Sequence, residues 1–511
     1  MEIMQALLYV GFLFFFTLVF YKLIFPSSRV QHKNLPPSPP RLPILGHFHL
    51  MKKPLHQALH NLSLKYGPVF FLWFGCRPVL VISTPSAVEE CLRKNDIIFA
   101  NRPQFPFLKT PENDFVSFPK ISYGPLWRDL RRFATVEIFS STRVQMTSRT
   151  RVEEVQHLAK NLFDRGNRKV EVNSFFYMCI FNIMMKMVSG ERYFEGDELE
   201  SEKGRAEFKD IKELFSIPGG SAVVEFFPFL KPMIYLFWGV KAERLHKKKD
   251  LFLQNLINKH RRRKMRCSVS EEGEKRKNII DVMLSLEESE PEFYTDAVMK
   301  GTILVMLVGG TDSLTTTLEA AVSFLISHPN EFNKARDEID SNVGQSRLVD
   351  DGDLSKLTYL HWIINETLRL GPTSLVNLLH KASEECVVGG FRIPSGTILL
   401  VNNWAMHNDP TLWADPTSFK PERFNGPEGE KAGYKFVPFG SGRRACPGET
   451  LARRLVALAL GTLIQCFDWE KSEENSEGGG KEGIGRKIEN GKLTHIVLCP
   501  RKELIDALSE L

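Results

Sequence analysis

"FVPFGSGRRACPGETLARRLVALALG", residues 436–461, sets one cysteine, Cys446, in a run of glycine and proline that opens onto an apolar stretch. Leu451, Leu455, Leu458 and Thr462 recur at helical spacing, and proline is accommodated in a first helical turn, so Cys446 lies at or just before a helix N-terminus. Backbone N–H groups and the helix dipole favour an anionic sulfur there, with Arg443 and Arg444 adding positive charge. Two readings follow: a free cysteine packed as a small hydrophobe, or a metal ligand.

The bulk numbers narrow the field. Of 511 residues, 43% are hydrophobic and 25% charged, which describes a globular protein and not a disordered one. The formal net charge of +6 suits an acidic partner or a membrane surface but is too small to argue for nucleic acid. Eight scattered cysteines without a CxxC pair fit a reducing compartment and no disulfide framework.

Residues 3–21, "IMQALLYVGFLFFFTLVFY", carry no charge and are long enough nearly to span a bilayer, so they read as a transmembrane anchor. Lys22, Arg29 and Lys33 on the C-terminal side predict a single-pass protein with its bulk in the cytosol. Residues 22–46 read as a basic, proline-rich linker; five prolines between 36 and 43 favour a stiff spacer. Residues 47–511 form the third unit, with no later break that divides them. Within it, 68–73 and 78–83 predict a hairpin, 125–370 is mostly helical, 264–278 reads as a charged loop, and 391–404 as strand and turn. The fold class is mainly α with a minor β region. "GGGKEG" at 478–483 matches a dinucleotide pattern without the strand and helix that such a site needs. "NET" at 365–367 is a glycosylation sequon inside a helical pattern.

Phe439, Gly442, Arg444, Cys446 and Gly448 occur in the order F-x-x-G-x-R-x-C-x-G, and with this signature the chain resembles the cytochrome P-450 enzymes. The resemblance implies that fold, a haem b whose iron takes Cys446 as axial ligand, Arg444 on a haem propionate and Phe439 beside the sulfur. Further motifs support it. Glu366 and Arg369 form an ExxR pair on one helical face, and Arg423 in "FKPERF" completes a structural cluster of this family. Trp127 and Arg131 resemble a second propionate contact, and His380 a third, although Leu379 replaces the usual preceding proline. The stretch 301–329 is a long apolar helix with two adjacent glycines, which costs about 1 kcal/mol each against alanine and also suits a close helix crossing. The resemblance places Gly310, Asp312 and Ser313 at the oxygen site, Ser313 standing where threonine is usual and Leu314 where a second hydroxyl is usual. Serine keeps the hydroxyl for proton delivery and loses the methyl that fixes its rotamer.

The likeness reaches further, in "ARDEID", "DPTSFKPERF" and "LALGTLIQCFDWE", to plant enzymes acting on phenylpropanoid-derived aromatics, isoflavone hydroxylases and methylenedioxy-bridge-forming lignan synthases among them. It implies an endoplasmic-reticulum monooxygenase that uses dioxygen and a small aromatic or apolar substrate. Electrons would come from NADPH through NADPH–cytochrome P-450 reductase docked near Arg128, Arg132, Arg443 and Arg453. Bridge formation is one alternative; a reductase-independent haem isomerase or dehydratase is another. Phe105, Phe107, Phe115, Phe118, Leu375 and Val376 are the expected pocket walls, and Gly371 is expected to loosen the turn after Arg369.

Overall fold

The computed structural model describes residues 34–103, 115–166, 168–195, 201–215, 226–227, 239–267, 278–426, 432–471 and 495–511, with Gly11, Phe14 and Thr17. Those three isolated residues are helical; the rest of the expected anchor, the "GGGKEG" stretch, Phe105 and Phe107 lie outside the described residues. The helices used below are α1 (Leu55–Tyr66), α2 (Pro125–Phe133), α3 (Ser148–Asp164), α4 (Val172–Ser189), α5 (Glu202–Phe215), α6 (Val240–Cys267), α7 (Ile279–Glu287), α8 (Asp296–Ser327), α9 (Pro329–Asn342), α10 (Thr358–Leu370) and α11 (Glu449–Cys466).

The predicted hairpin forms from β1 (Val69–Phe74) and β2 (Arg77–Ile82), turning through Gly75 at φ +59°. Strands β3 (Lys169–Val170), β4 (His380–Lys381), β5 (Cys386–Val388), β6 (Phe391–Ile393) and β7 (Ile398–Val401) follow, then β8 (Phe467–Lys471) and β9 (Ile496–Pro500). The main sheet runs β1-β2-β7-β4, with β7 parallel to β2 and antiparallel to β4. A second sheet, β3-β9-β8, and the β5-β6 hairpin complete the minor β component. Val79, Leu80, Val81 and Ile82 are all fully buried and face Ile398–Val401, so β2 reads as a continuous apolar run because both its faces are covered.

α4 and α8 form the centre. Both are long and apolar enough to cross a membrane, yet α4 is buried along nearly its whole length and half of the most apolar window of α8 is buried, as in core helices. Their crossing explains one glycine. A Cβ on Gly310 would lie 2.7 Å from Met184 Sδ of α4, whereas one on Gly309 would meet nothing within 4 Å. Gly310 therefore serves the helix crossing as well as lining the cavity, whereas Gly309 lines the cavity without touching α4.

Two expectations about segments change. The proline-rich stretch does not stand off the globule over 34–46: Pro37 O accepts from Phe71 N, His47 Nε2 bonds Pro39 O, and Gly46 bridges Phe74. Prolines lack N–H groups, but their carbonyls remain free to bind a neighbouring strand. The charged loop expected over 264–278 is helical as far as Cys267, where α6 ends, and residues 268–277 lie outside the described residues.

Candidate functional site

The cysteine loop packs tightly before α11 begins. Gly440 and Gly442 adopt φ of +73° and +69°, and a Cβ on Gly442 would lie 2.2 Å from Leu92 O. Asp96 pins the loop by accepting from Arg443 N and pairing with Arg443 Nε, each at 3.0 Å. Cys446 N donates to Phe439 O at 2.9 Å, and Gly448 caps α11. The Cys446 side chain opens onto a cavity of about 550 Å³.

Burial pushes the Cys446 thiol up; the Gly448 N–H lowers it, Glu449 raises it and Arg131 lowers it, and the net direction is upward. The loop alone does not make a thiolate. Arg443 is held by Asp96 and Arg444 stacks on Trp127 at 4.6 Å, so neither acts on the sulfur as its place in the sequence suggests. Coordination to a metal would supply the ionisation by displacing the thiol proton.

One end of the cavity gathers cations. Trp127 and Arg131, one turn apart on α2, meet Arg444 there, and Arg131 Nη1 donates to Ala445 O at 2.7 Å. Arg444 donates to Ala100 O, Phe118 O and Ile121 O. Arg102, absent from the sequence-based set, joins them: it is buried and donates to Pro119 O, Leu378 O and Leu379 O. Burial lowers the pKa of all three arginines, Arg102 to about 10 and Arg444 to about 9. Among the described residues none of the three forms an ion pair, and the buried Trp127 Nε1 has no hydrogen-bond partner. One buried and two half-buried cations beside an orphaned N–H are costly alone and suit a bound group carrying carboxylates. The residues present therefore fit a haem, its propionates toward Trp127, Arg131, Arg102 and Arg444 and its metal toward Cys446.

His380 also lines the cavity. Its Nδ1 donates to Phe99 O at 2.9 Å, leaving an N–H for a carboxylate only if the ring is protonated. Burial, then Arg102, push its pKa down to about 3, and a carboxylate bound beside it would oppose that shift.

Across the cavity, Gly309, Gly310, Asp312, Ser313, Thr316 and Thr317 of α8 form one wall. Ser313 Oγ donates to Gly309 O at 2.8 Å, so it presents lone pairs to the cavity and must release this bond to donate there. Burial raises the Asp312 pKa, opposed by Lys212 of α5. Thr316 and Thr317 supply hydroxyls one turn beyond; four-residue spacing along the helix is the signal that finds them.

Behind the cysteine loop lies the carboxylate–arginine cluster. Glu366 and Arg369 are fully buried, with Arg369 Nε on Glu366 Oε2 at 2.7 Å and Nη2 on Oε1 at 2.8 Å. Arg423 Nε and Lys420 N add further donors to Oε1, each at 2.9 Å. Arg369 also reaches His407 O and Pro416 O, and so ties the chain from 407 to 423 onto α10. What would be a weak surface pair is here a dry, fully satisfied network.

Of the expected pocket walls, Phe118 lines the cavity, held there because Val116 N donates to Ala297 O and Val116 sits directly against Gly301 of α8. Phe115 instead packs on His246, and Val376 joins the β1–β2 core. Thr373, Ser374, Asn377 and Leu378 take the places expected of Leu375 and Val376. Of the expected docking arginines, Arg128 and Arg132 remain exposed, while Arg453 is turned inward over the Phe439 ring and bonded to Glu449 and Asn365.

The fold and this site define a haem-thiolate enzyme. The model of the family Cytochrome P-450 matches residues 36–495, and the chain belongs to that family and is a monooxygenase of the oxidoreductase class. It is 43% identical to an isoflavone 2'-hydroxylase of Glycyrrhiza echinata over 92% of each chain. It is 42% identical to a (+)-piperitol/(+)-sesamin synthase of Sesamum radiatum over 93% of each. An isoflavone 3'-hydroxylase of Medicago truncatula is 41% identical over 92% of this chain and 93% of its own.

Proposed function

We propose that this protein is a membrane-bound, NADPH-dependent monooxygenase that hydroxylates an aromatic, phenylpropanoid-derived metabolite. The observation that carries the reading is the cavity: Cys446 opens onto one wall and Asp312 and Ser313 line another, so one cavity would hold the haem and present a small aromatic ligand to the α8 residues. Its relatives' names supply the substrate class. Haem bound there supplies oxygen activation, with electrons from NADPH through a partner reductase. Arg102, Arg131, Arg444 and Trp127 hold the carboxylates of the haem. Asp312 relays protons from the α5 side, and Ser313, once released from Gly309 O, passes them into the cavity. Phe118, Val305 and Leu378 exclude water around the substrate. The apolar residues 3–21 anchor the chain in the endoplasmic-reticulum membrane with the globule in the cytosol.

Microsomes holding this protein, a reductase and NADPH, fed isoflavones, lignans and other aromatics, should yield products heavier by one oxygen. Oxidation of none of them would refute the substrate class. Loss of two hydrogens from a methoxyphenol would establish the bridge-forming reading, which the similarity to the sesamin synthase favours. Ser313→Ala should raise hydrogen peroxide release per NADPH consumed; unchanged coupling removes Ser313 from the relay.

A further inference from the structure

α11 opens with one acid and carries two adjacent arginines one turn later, "ETLARRL", residues 449–455. Arg454 goes to the buried Asp351, pairing with it at 2.7 Å. Arg453 points elsewhere, because successive residues on a helix are about 100° apart. Its Nε donates to Glu449 Oε1 at 2.9 Å, and its Nη1 donates to Asn365 Oδ1 of α10 at 2.6 Å. The guanidinium lies 5.0 Å from the centre of the Phe439 ring. The amide of the "NET" sequon is thereby committed to Arg453.

A glutamate at the first position of a helix with an arginine four residues on is usually a solvated pair that adds little to stability. Three observations set this one apart. The Arg453 side chain is only 29% exposed and lines the cavity on its cysteine side. The ring it covers belongs to the residue whose carbonyl accepts from Cys446 N at 2.9 Å. Glu449 stands three residues after Cys446 and, among the described residues, is the carboxylate that acts on the sulfur. Arg443 and Arg444 are committed to Asp96 and Trp127, so the cation set against the Glu449 charge is Arg453. A negative charge beside a metal-bound thiolate disfavours the arrival of an electron at the metal, and a positive one favours it. Charge and hydrogen bonding around the sulfur are therefore means by which a protein adjusts a haem potential.

We propose that Glu449 and Arg453 adjust the reduction potential of the haem iron as an opposed pair, the carboxylate lowering it and the guanidinium raising it. The step concerned is the gain of one electron by ferric iron to give ferrous iron. This assignment deepens the proposed function, on which it rests for the electron supply but not for the substrate. Asn365 and the Phe439 ring are the positioning groups that keep the guanidinium in place between α10 and α11.

The test is an anaerobic redox titration of the full-length, haem-loaded protein, read from the haem absorbance. Glu449→Gln keeps an oxygen for Arg453 and removes the charge. At the wild-type midpoint it should raise the ferrous-to-ferric ratio about fivefold, as expected of a half-exposed charge in an intermediate dielectric. Arg453→Gln should lower that ratio about threefold, and the double variant should return to within about twofold of wild type. The Glu449→Gln shift should shrink to about twofold or less in about 1 M salt, where screening acts over about 3 Å. A pair that only fastens α11 would lower resistance to urea in both single variants and shift their potentials in the same direction or not at all; such a result overturns the proposal. Should Arg453→Gln fail to retain haem, Glu449→Gln decides alone, and a ratio unchanged or lowered there overturns it. Turnover of aromatics with NADPH and reductase is scored separately. Potentials that move as stated without oxidation would sink the substrate class and spare the pair, and oxidation with unmoved potentials would do the reverse.

Discussion

Asp351 should be among the most sensitive residues far from the cavity. It lies in the turn before α10, is fully buried, and accepts from Arg151 Nη2 of α3 at 2.9 Å and from Arg454 Nη2 of α11 at 2.7 Å. Burial opposes its ionisation, but the Arg454 and Arg151 hydrogen bonds prevail and hold the carboxyl below its ordinary range. The two arginines are not equivalent. Arg151 is fully enclosed, whereas the Arg454 side chain is 35% exposed and can be hydrated without its partner. Asp351→Asn keeps an acceptor and removes the charge, stranding Arg151 in the interior at a cost of about 3–5 kcal/mol. That is a large part of a typical domain stability of about 5–15 kcal/mol. Arg454→Ala should cost about 1 kcal/mol or less, as for a solvent-screened pair. Replacing both buried members, Arg151→Met with Asp351→Leu, should recover most of the loss. Urea titration followed by the carbon monoxide band of the reduced haem, with tryptophan fluorescence as second probe, measures all of these. Equal costs for Asp351→Asn and Arg454→Ala, or a double variant no better than Asp351→Asn, would refute the assignment of the cost to Arg151.

The α4–α8 crossing gives a paired prediction: Gly309→Ala should raise resistance to urea by up to about 1 kcal/mol, while the same change at Gly310 should lower it, since overpacking against Met184 costs about 1–3 kcal/mol. A Gly310→Ala protein as stable as wild type would show that the crossing is loose. His407 is fully buried, and burial and then Arg369 lower its pKa to about 3. The unfolded chain binds that proton near pH 6.5 and the folded one does not, so stability is complete above 6.5 and falls by about 1.4 kcal/mol per unit below it, until the folded pKa is reached. His407→Gln should flatten the slope between pH 6 and 4 by about that amount; an unaltered slope would place the titration elsewhere. Lys212 holds down an Asp312 pKa that burial raises, so Lys212→Met should move the acid limb of the kcat profile to higher pH, and a profile that stays put would separate Asp312 from the relay.

The parts of this protein that were legible in the sequence are those in which spacing along the chain already fixes geometry. Cys446 before a helix at Glu449, the 69–82 hairpin, and Glu366 beside Arg369 three residues on are local arrangements that the backbone alone imposes. Long-range partners were not legible. Nothing in "ILLV" at 398–401 says that it lies parallel to β2 and between β2 and β4, or that Pro37 and Pro39 will bind the neighbouring chain. Which of two adjacent glycines is pressed against Met184 depends on where α4 crosses α8, because successive residues on a helix point about 100° apart.

The chemistry of the site divides the same way. The sequence by itself determined the family signature, the ligand-type cysteine and the mainly helical class, since each rests on residue types at short fixed intervals. Only the tertiary structure decided that Arg102 joins Arg131 and Arg444, that one ring nitrogen of His380 is spent on Phe99, and that Asn377 is left with an unmatched donor. These depend on burial and on which carbonyl lies within hydrogen-bond reach, and folding sets both by bringing together residues hundreds of positions apart.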